Sequence, residues 1–200
     1  MRAPHSSPGE ILPSALAMRS DFPQRIPYPE GTDALTGVYG KLTNGQRIAY
    51  HLKPEVRDGM HAQSGALLRA GSLPPALREM IIVRVGYRTG NHYEVDQHSS
   101  LGERVGVLRE KLRALACVDP PGLSNDERAV IGFVDALLTE LEPSDAVLDG
   151  VRSRFTDGEV LEMVFVTGNW WTLSRMLATA GIPSDRNKIG EQGVVTDPHR

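Results

Sequence analysis

The sequence predicts an all-α fold, and three observations lead to it. Pro74 to Val107 carries its apolar side chains at helical spacing, and the segment after Ser124 joins a capping serine, a glutamate three residues later and an apolar stripe. No segment shows the period-two alternation of a half-buried strand. With 200 residues, 40% of them hydrophobic, the chain has the length and composition for one domain with a real core.

In chain order, residues 1–25 are studded with Pro4, Pro8, Pro13 and Pro23 and are expected to be a flexible N-terminal arm that wraps a neighbouring subunit. The helical domain is expected over 26–183, and the polar tail over 184–200. A short helix is predicted from Asp33 to Lys41, capped by Thr32 or Asp33, with a turn at Thr43-Asn44-Gly45. A loosely amphipathic helix follows Pro54 and ends near Gly71. The next opens at Pro74-Pro75, where proline costs no intrahelical hydrogen bond, and stops at Thr89-Gly90. It is apolar nearly all round except at Arg78, Glu79 and Arg84. Glu79 therefore sits at or inside a packed boundary, where a carboxylate must find a partner or shift its pKa upward.

Asn91 is the natural N-cap of the following helix, with Glu94 at capping-box spacing. A helix from Leu108 to Cys117 is stopped by Pro120-Pro121-Gly122. Ser124 and Glu127 then open a strongly amphipathic helix carrying Val130, Ile131, Phe133, Val134, Leu137 and Leu138. A helix over about Ser144 to Phe155 precedes a last long one, capped by Thr156 with Asp157, Glu159 and Glu162 near the positive end of its dipole, and ended by Gly181. Trp170 and Trp171 point in different directions on that helix. One of them is expected to line a pocket or a subunit interface, and ordinary core packing is the alternative.

Net charge is −3 and no run of Lys and Arg appears, which excludes nucleic acid as the expected partner. The lone Cys117 rules out an intramolecular disulfide framework and suits a reducing cytoplasm. No apolar run is long enough to span a bilayer, and Pro13 and Ser14 break the only apolar stretch near the start, so neither membrane insertion nor a signal peptide is expected.

Glu94 and His98 lie four residues apart, so one helical face presents a carboxylate and an imidazole before turning apolar at Leu101 and Val105. Such a pair serves proton transfer, metal binding or plain structural hydrogen bonding. His5, His51, His61, His92 and His199 are scattered and are given no role.

The run LPPALREMIIVRVGYRTGNHYEVDQHSSLGERVGV resembles the core signature of the carboxymuconolactone decarboxylase family, which includes the alkylhydroperoxidase D (AhpD) peroxidases. The stretch FTDGEVLEMVFVTGNWWTLSRMLATAGIP resembles that family's last long helix, so the likeness spans roughly Ile26 to Pro183. In the peroxidase branch a glutamate precedes two redox cysteines and a histidine. Glu79 matches the glutamate and His98 the histidine, whereas Asn91 and Glu94 occupy the cysteine positions and Tyr93 replaces another histidine. Thiol peroxidase chemistry with an internal disulfide is therefore not available. What remains resembles the non-thiol branch, read here as Tyr93, Glu94 and His98.

The resemblance implies an AhpD-like helical bundle containing a helical hairpin and assembling as a homo-oligomer, a trimer or a dimer of trimers. It also implies loss of carbon dioxide from an unsaturated lactone acid, a small-molecule substrate that carries its own electron sink and needs no cofactor. His98 would then be the proton donor, Glu94 or Glu79 would orient its ring, Tyr93 would complete the catalytic group, and Arg84 or Arg88 would anchor the substrate carboxylate. Trp170 and Trp171 complete the expected substrate-binding set. Two alternatives stand beside this reading. One is oxidative chemistry on a phenolic substrate, with or without a divalent metal held by Glu79, Glu94 and His98; the other is a non-catalytic oligomer that binds a ligand or partner.

Overall fold

The computed structural model describes residues 9–19, 23–37 and 40–185. In order these form α1 (Pro13–Leu16), a minimal antiparallel hairpin of β1 (Thr36–Gly37) and β2 (Gly40–Lys41), α2 (Asn44–Ile48) with a single 3₁₀ turn after it (Ala49–His51), α3 (Pro54–Arg69), α4 (Pro75–Thr89), α5 (His92–Arg104), α6 (Arg109–Ala114), α7 (Asn125–Thr139), α8 (Asp145–Arg152) and α9 (Asp157–Ala180). The all-α expectation holds, and the long helices begin and end where their caps place them. Ser124 and Thr156 each accept from the amide of the glutamate three residues on, and each of those glutamates accepts in return from the cap's own amide. Gly90 and Gly181 end α4 and α9 in the left-handed region, at φ 67° and 66°, which glycine adopts without a steric penalty.

The first part of the chain departs from expectation. Among the described residues of the span 33–41 no helix forms; a turn and the paired strands β1 and β2 stand there, and the Thr43-Asn44-Gly45 turn is instead the capped start of α2. Gly37 and Gly40 explain why: two glycines within a few residues weaken a helix and suit a tight turn. The inner part of the N-terminal arm is not loose either. Leu12 is buried, its amide donates to the Ala116 carbonyl at 2.8 Å, and Val118 N donates to Glu10 O at 2.7 Å, which ties residues 10–12 to the segment after α6. An isolated apolar side chain that finds a core site outweighs the extended preference of a proline-rich segment. Asp185, assigned from the sequence to the tail, is also buried. The outermost stretches of arm and tail lie outside the described residues.

Helix α4 is the axis of the molecule. Every residue from Leu77 to Tyr87 is buried, because two cores close on it from opposite sides. Leu77, Ile81, Ile82 and Val85 pack with Val130, Phe133 and Val134 of α7 and with Met163, Val166 and Trp170 of α9. Met80, Val83 and Tyr87 pack with Leu12, Val95, Leu112, Leu115 and Ile131. Helix α5 returns along α4 so closely that a side chain at Gly86 would meet Val95 Cγ2 at 2.8 Å, so this glycine is required by the crossing.

Arg84 is wholly inaccessible to solvent, so its charge has to be matched inside. It donates to both oxygens of Asp135 at 2.8 and 2.6 Å, and to the carbonyls of Leu115, Cys117 and Val118. Arg88 donates to the same Asp135 at 2.7 Å. Burial disfavours the Asp135 carboxylate, but the hydrogen bonds and charges of the two arginines outweigh it and hold its pKa below the ordinary value. Arg84 thus clamps α4 to α7 and to the α6–α7 connection and has no donor left for a substrate carboxylate, while Arg88 shares Asp135 with it. The substitution Arg84→Met keeps the stem but strips Asp135 of one partner and leaves three carbonyls without this donor, for an expected loss of about 3–5 kcal/mol. Urea unfolding measures it, and a loss below ~1 kcal/mol, the scale of a surface pair, would contradict this role.

Candidate active site

Three helices bring four side chains together. Glu79 comes from the middle of α4, where the helix is buried on all sides. Glu94 and His98 come from consecutive turns of α5, and Trp170 from α9. Asn91 caps α5 by accepting from the Glu94 amide at 3.2 Å, as its spacing predicted, and its own side chain donates to Ser174 O of α9 at 2.6 Å. The reciprocal half of a capping box does not form, because the Asn91 amide bonds to the Gly86 carbonyl of the α4 C-cap instead. The Glu94 carboxylate is thereby left to the interior.

His98 Nδ1 lies 2.6 Å from Glu79 Oε2, while Nε2 lies 2.9 Å from Trp170 Nε1. An indole nitrogen only donates, so Nε2 must present its lone pair, and the proton of the neutral ring is on Nδ1, directed at Glu79. The indole also stands edge-on to the imidazole at 88°, with centroids 5.4 Å apart. Arg78 donates to the other Glu79 oxygen through Nε at 3.3 Å and Nη2 at 3.2 Å, which balances the buried charge. Glu94 Oε2 approaches His98 Nε2 at 3.5 Å, and the Glu94 carboxylate accepts no hydrogen bond from the described residues.

The electrostatics follow from this packing. Burial pushes the Glu94 carboxyl up to about 7, with the repulsion of Glu79 adding to it and the attraction of His98 offsetting part. For His98, burial opposes the cation, but the Glu79 hydrogen bond and the charges of Glu79 and Glu94 overcome it, so its pKa lies above the ordinary imidazole value. A protonated Nε2 would face Glu94 and turn away the Trp170 N–H, whereas a neutral Nε2 takes the Trp170 N–H and leaves the proton on Glu94. One proton is thus shared between Glu94 and His98, and the short Trp170 contact belongs to the form with Glu94 protonated.

These side chains do not fit a metal ion. Nδ1 is hydrogen-bonded to Glu79 and the Nε2 lone pair accepts from Trp170, and the described residues contain no group of three or more His, Cys, Asp or Glu placed to hold a cation.

Tyr93 does not join the cluster. Its hydroxyl donates to Asp185 Oδ2 at 2.6 Å and accepts from Gly45 N at 3.1 Å, and burial, reinforced by the Asp185 charge, pushes its pKa well above 10.0. Asp185 also accepts from Asn44 N, so Tyr93 fastens α5 to α2 and to the end of the domain. Trp171, next to Trp170 but about 100° round the helix, is 44% exposed. Arg78, Asp185 and two buried hydroxyls that flank Trp170 on α9, those of Thr167 and Ser174, were not singled out as site residues. The hydroxyls have no hydrogen-bond partner among the described residues. Their spacing of −3 and +4 from Trp170 is the one sequence signal that groups them. A surface groove of about 770 Å³, lined by Tyr87, Val95, Ser99, Leu112 and Arg104 among others, opens on the Val95 side of α5 and takes in none of the cluster.

Residues 54–136 match the carboxymuconolactone decarboxylase family, a span that contains Glu79, Glu94 and His98 but not Trp170. That match and the shared fold together support a place in the carboxymuconolactone decarboxylase and AhpD-like superfamily. A peroxidase-related protein of Ralstonia eutropha with an AhpD core, itself uncharacterized, superposes with a TM-score of 0.65 at 22% identity, over 72% of this chain and 77% of its own. An uncharacterized peroxidase-related protein from Silicibacter gives 0.62 at 20% identity, over 68% and 73%. A protein of unknown function from Agrobacterium tumefaciens, provisionally described as the antioxidant defence protein AhpD, gives 0.59 at 21% identity, over 64% and 89%. At these identities the likeness is one of fold. No curated protein matches. Glu79 and His98, the glutamate and histidine picked out by the resemblance, lie in the matched span together with Asn91 and Glu94, and the only cysteine, Cys117, is buried after α6.

Two measurements check the assignment of protons. Trp170→Phe removes the donor that stabilises the neutral imidazole, so the His98 pKa moves further up and stability falls by about 1 kcal/mol, followed by imidazole NMR titration and urea unfolding. Glu94 has a folded pKa of about 7 against 4.5 when free, so the folded state holds its proton more tightly. Its contribution is fully present below pH 4.5 and is lost as pH rises through 7, by roughly 3 kcal/mol in all. Glu94→Gln, which stays neutral, should therefore gain on the parent protein between pH 5 and pH 8 in thermal melts. A pH-independent difference would show that Glu94 is not proton-loaded.

Proposed function

We propose that the chain is a cofactor-free acid–base enzyme of the carboxymuconolactone decarboxylase type, acting on a small unsaturated cyclic acid. The observation that carries the reading is the state of Glu94: a buried carboxyl with a pKa of about 7, beside an imidazole, whose oxygens accept no hydrogen bond from the described residues. A structural carboxylate in a core is normally saturated with donors, as Asp135 is here. Glu94 retains its hydrogen-bonding capacity and titrates where a general acid or base works best. It takes over the substrate-facing role that the sequence assigned to His98, because both nitrogens of His98 are engaged.

In the reaction, the bond from the substrate's ring carbon to its carboxylate breaks, and carbon dioxide departs. The electron pair delocalises into the conjugated carbonyl, and carbon is reprotonated. Glu94, protonated near neutral pH, delivers that proton. The resulting carboxylate is stabilised by His98, which can take a proton at Nε2 because Glu79, neutralised by Arg78, holds Nδ1 from the other side. The low-polarity surroundings favour loss of charge as carbon dioxide leaves.

The test is a panel of unsaturated lactone acids, with carbon dioxide release and oxygen consumption followed in parallel. Glu94→Gln and His98→Asn are expected to lower kcat/KM by about 10²–10⁴-fold with the fold intact, and the rate of the parent enzyme should change near pH 7. Turnover that consumes oxygen without releasing carbon dioxide would transfer the cluster to oxidative chemistry. Turnover that survives both substitutions would remove it from catalysis.

A further inference from the structure

Away from the acid–base cluster, the α5–α6 side of the molecule holds a groove of about 770 Å³, within the size range of small-molecule sites. Its walls are two helical faces. Val95, Ser99 and Glu103 follow one another at four-residue spacing on α5, and Arg109, Leu112 and Arg113 at three and four on α6. Its floor is apolar and closed, because Val95, Leu112 and Tyr87 of α4 are all buried. Arg109 donates to both Glu103 oxygens, at 2.8 and 2.7 Å, and so ties one wall to the other.

The charge in this groove is unbalanced. Three arginines and one glutamate line it, a surplus of two positive charges in a chain whose net charge is −3. Glu103 is committed to Arg109, and that hydrogen bond, with the nearby charge of Arg113, holds its carboxyl below the ordinary range. Arg113 itself forms no hydrogen bond or ion pair with a described residue, and neither does Arg104. The sequence leaves both without local partners: four residues before and after Arg104 stand Ser100 and Leu108, and around Arg113 stand Arg109 and Cys117. Arg109 and Arg113 repel one another at that spacing on a helix of six residues, a cost that a bound anion removes. The Ser99 hydroxyl, partly buried on the α5 wall, makes no hydrogen bond to a described residue either. Two unpaired guanidiniums and a hydroxyl beside an apolar floor suit an organic anion, with planar forks for a carboxylate or phosphate and apolar surface for the body.

We propose that this groove binds a small organic anion, its carboxylate or phosphate held by Arg104 and Arg113 and its apolar body lying over Tyr87, Val95 and Leu112. The site is separate from the Glu94 and His98 cluster and independent of the chemistry proposed for it. The two share α5, where Val95 and Ser99 follow Glu94 and His98 by one residue and so stand about 100° round the helix from them.

Calorimetric titration of the full chain with naphthoate and with naphthyl phosphate tests this, with inorganic phosphate and naphthol as probes of the two halves of the ligand. At least one naphthyl anion is expected to saturate the protein at or below about millimolar concentration, and the tighter of the two identifies the head group. Inorganic phosphate and naphthol should each bind at least ~10-fold more weakly, since each lacks half of the contact. Arg104→Gln combined with Arg113→Gln should weaken the naphthyl anion by ~10-fold or more and leave the helical circular dichroism unchanged, because both side chains are exposed. Amide NMR shifts of the parent chain locate the site without any substitution: those of residues 99–104 and 109–113 should move together and saturate. The proposal is overturned if neither anion binds saturably, if inorganic phosphate binds as tightly as they do, or if the affinity survives the double substitution. Shifts confined to Glu94, His98 and Trp170 overturn it as well, because they place the anion in the cluster.

Discussion

The structure depends on one constraint: α4 is sealed from water along most of its length, so every charge it carries must be neutralised from within the protein. It carries two that matter, and the fold answers them differently. Arg84 is met by Asp135 and by a ring of backbone carbonyls, an arrangement that uses up its donors and binds α4 to α7. Glu79 is met by Arg78 on one oxygen and by His98 on the other, and only the first of these partners is permanently charged. Burial of a charge against a fixed cation makes a clamp. Burial against a titratable ring makes a group whose protonation can change.

That difference propagates outward through His98. Its Nδ1 is directed by Glu79, so Nε2 is the atom on which proton exchange occurs, and two groups compete for it: the Trp170 N–H, which needs a lone pair, and the Glu94 carboxylate, which needs a proton. The competition decides where the proton rests: burial raises the Glu94 carboxyl to about 7, and the neighbouring carboxylates raise the His98 imidazole above its ordinary value. In the peroxidase branch that the sequence resembles, a thiol would stand at the position of Glu94. A carboxyl in the same place moves protons but no electrons, which is the basis of the acid–base reading proposed above.

Helix α9 has two unlike faces. Trp170 reaches His98 and is buried along with Thr167 and Ser174, while Trp171, Phe165 and Leu161 are exposed. The paired tryptophans illustrate how a helix separates neighbours in sequence: about 100° of rotation sends one indole to a histidine and the other to the surface. The span matched by the family ends before α9, so the residue that fixes the histidine tautomer comes from outside that span.

Much of the fold was legible in the sequence because local rules govern it. Caps at Ser124 and Thr156, glycines at Gly90 and Gly181 and prolines at the start of α4 set the ends of long helices through hydrogen bonds and torsions within a few residues. The association of Glu79 with His98 was legible through the family pattern, and Glu94 with His98 through helical spacing. The partners of Arg84, the withdrawal of Tyr93 to Asp185, the donation from Trp170 and the packing of Leu12 were decided by tertiary structure alone. Each joins residues tens of positions apart, and which buried donor meets which acceptor depends on where whole helices come to rest. The sequence by itself determined that charge would be buried in α4; only the tertiary structure decided which charge met a fixed counter-ion and which met a histidine, because that choice rests on the partner that packing delivers.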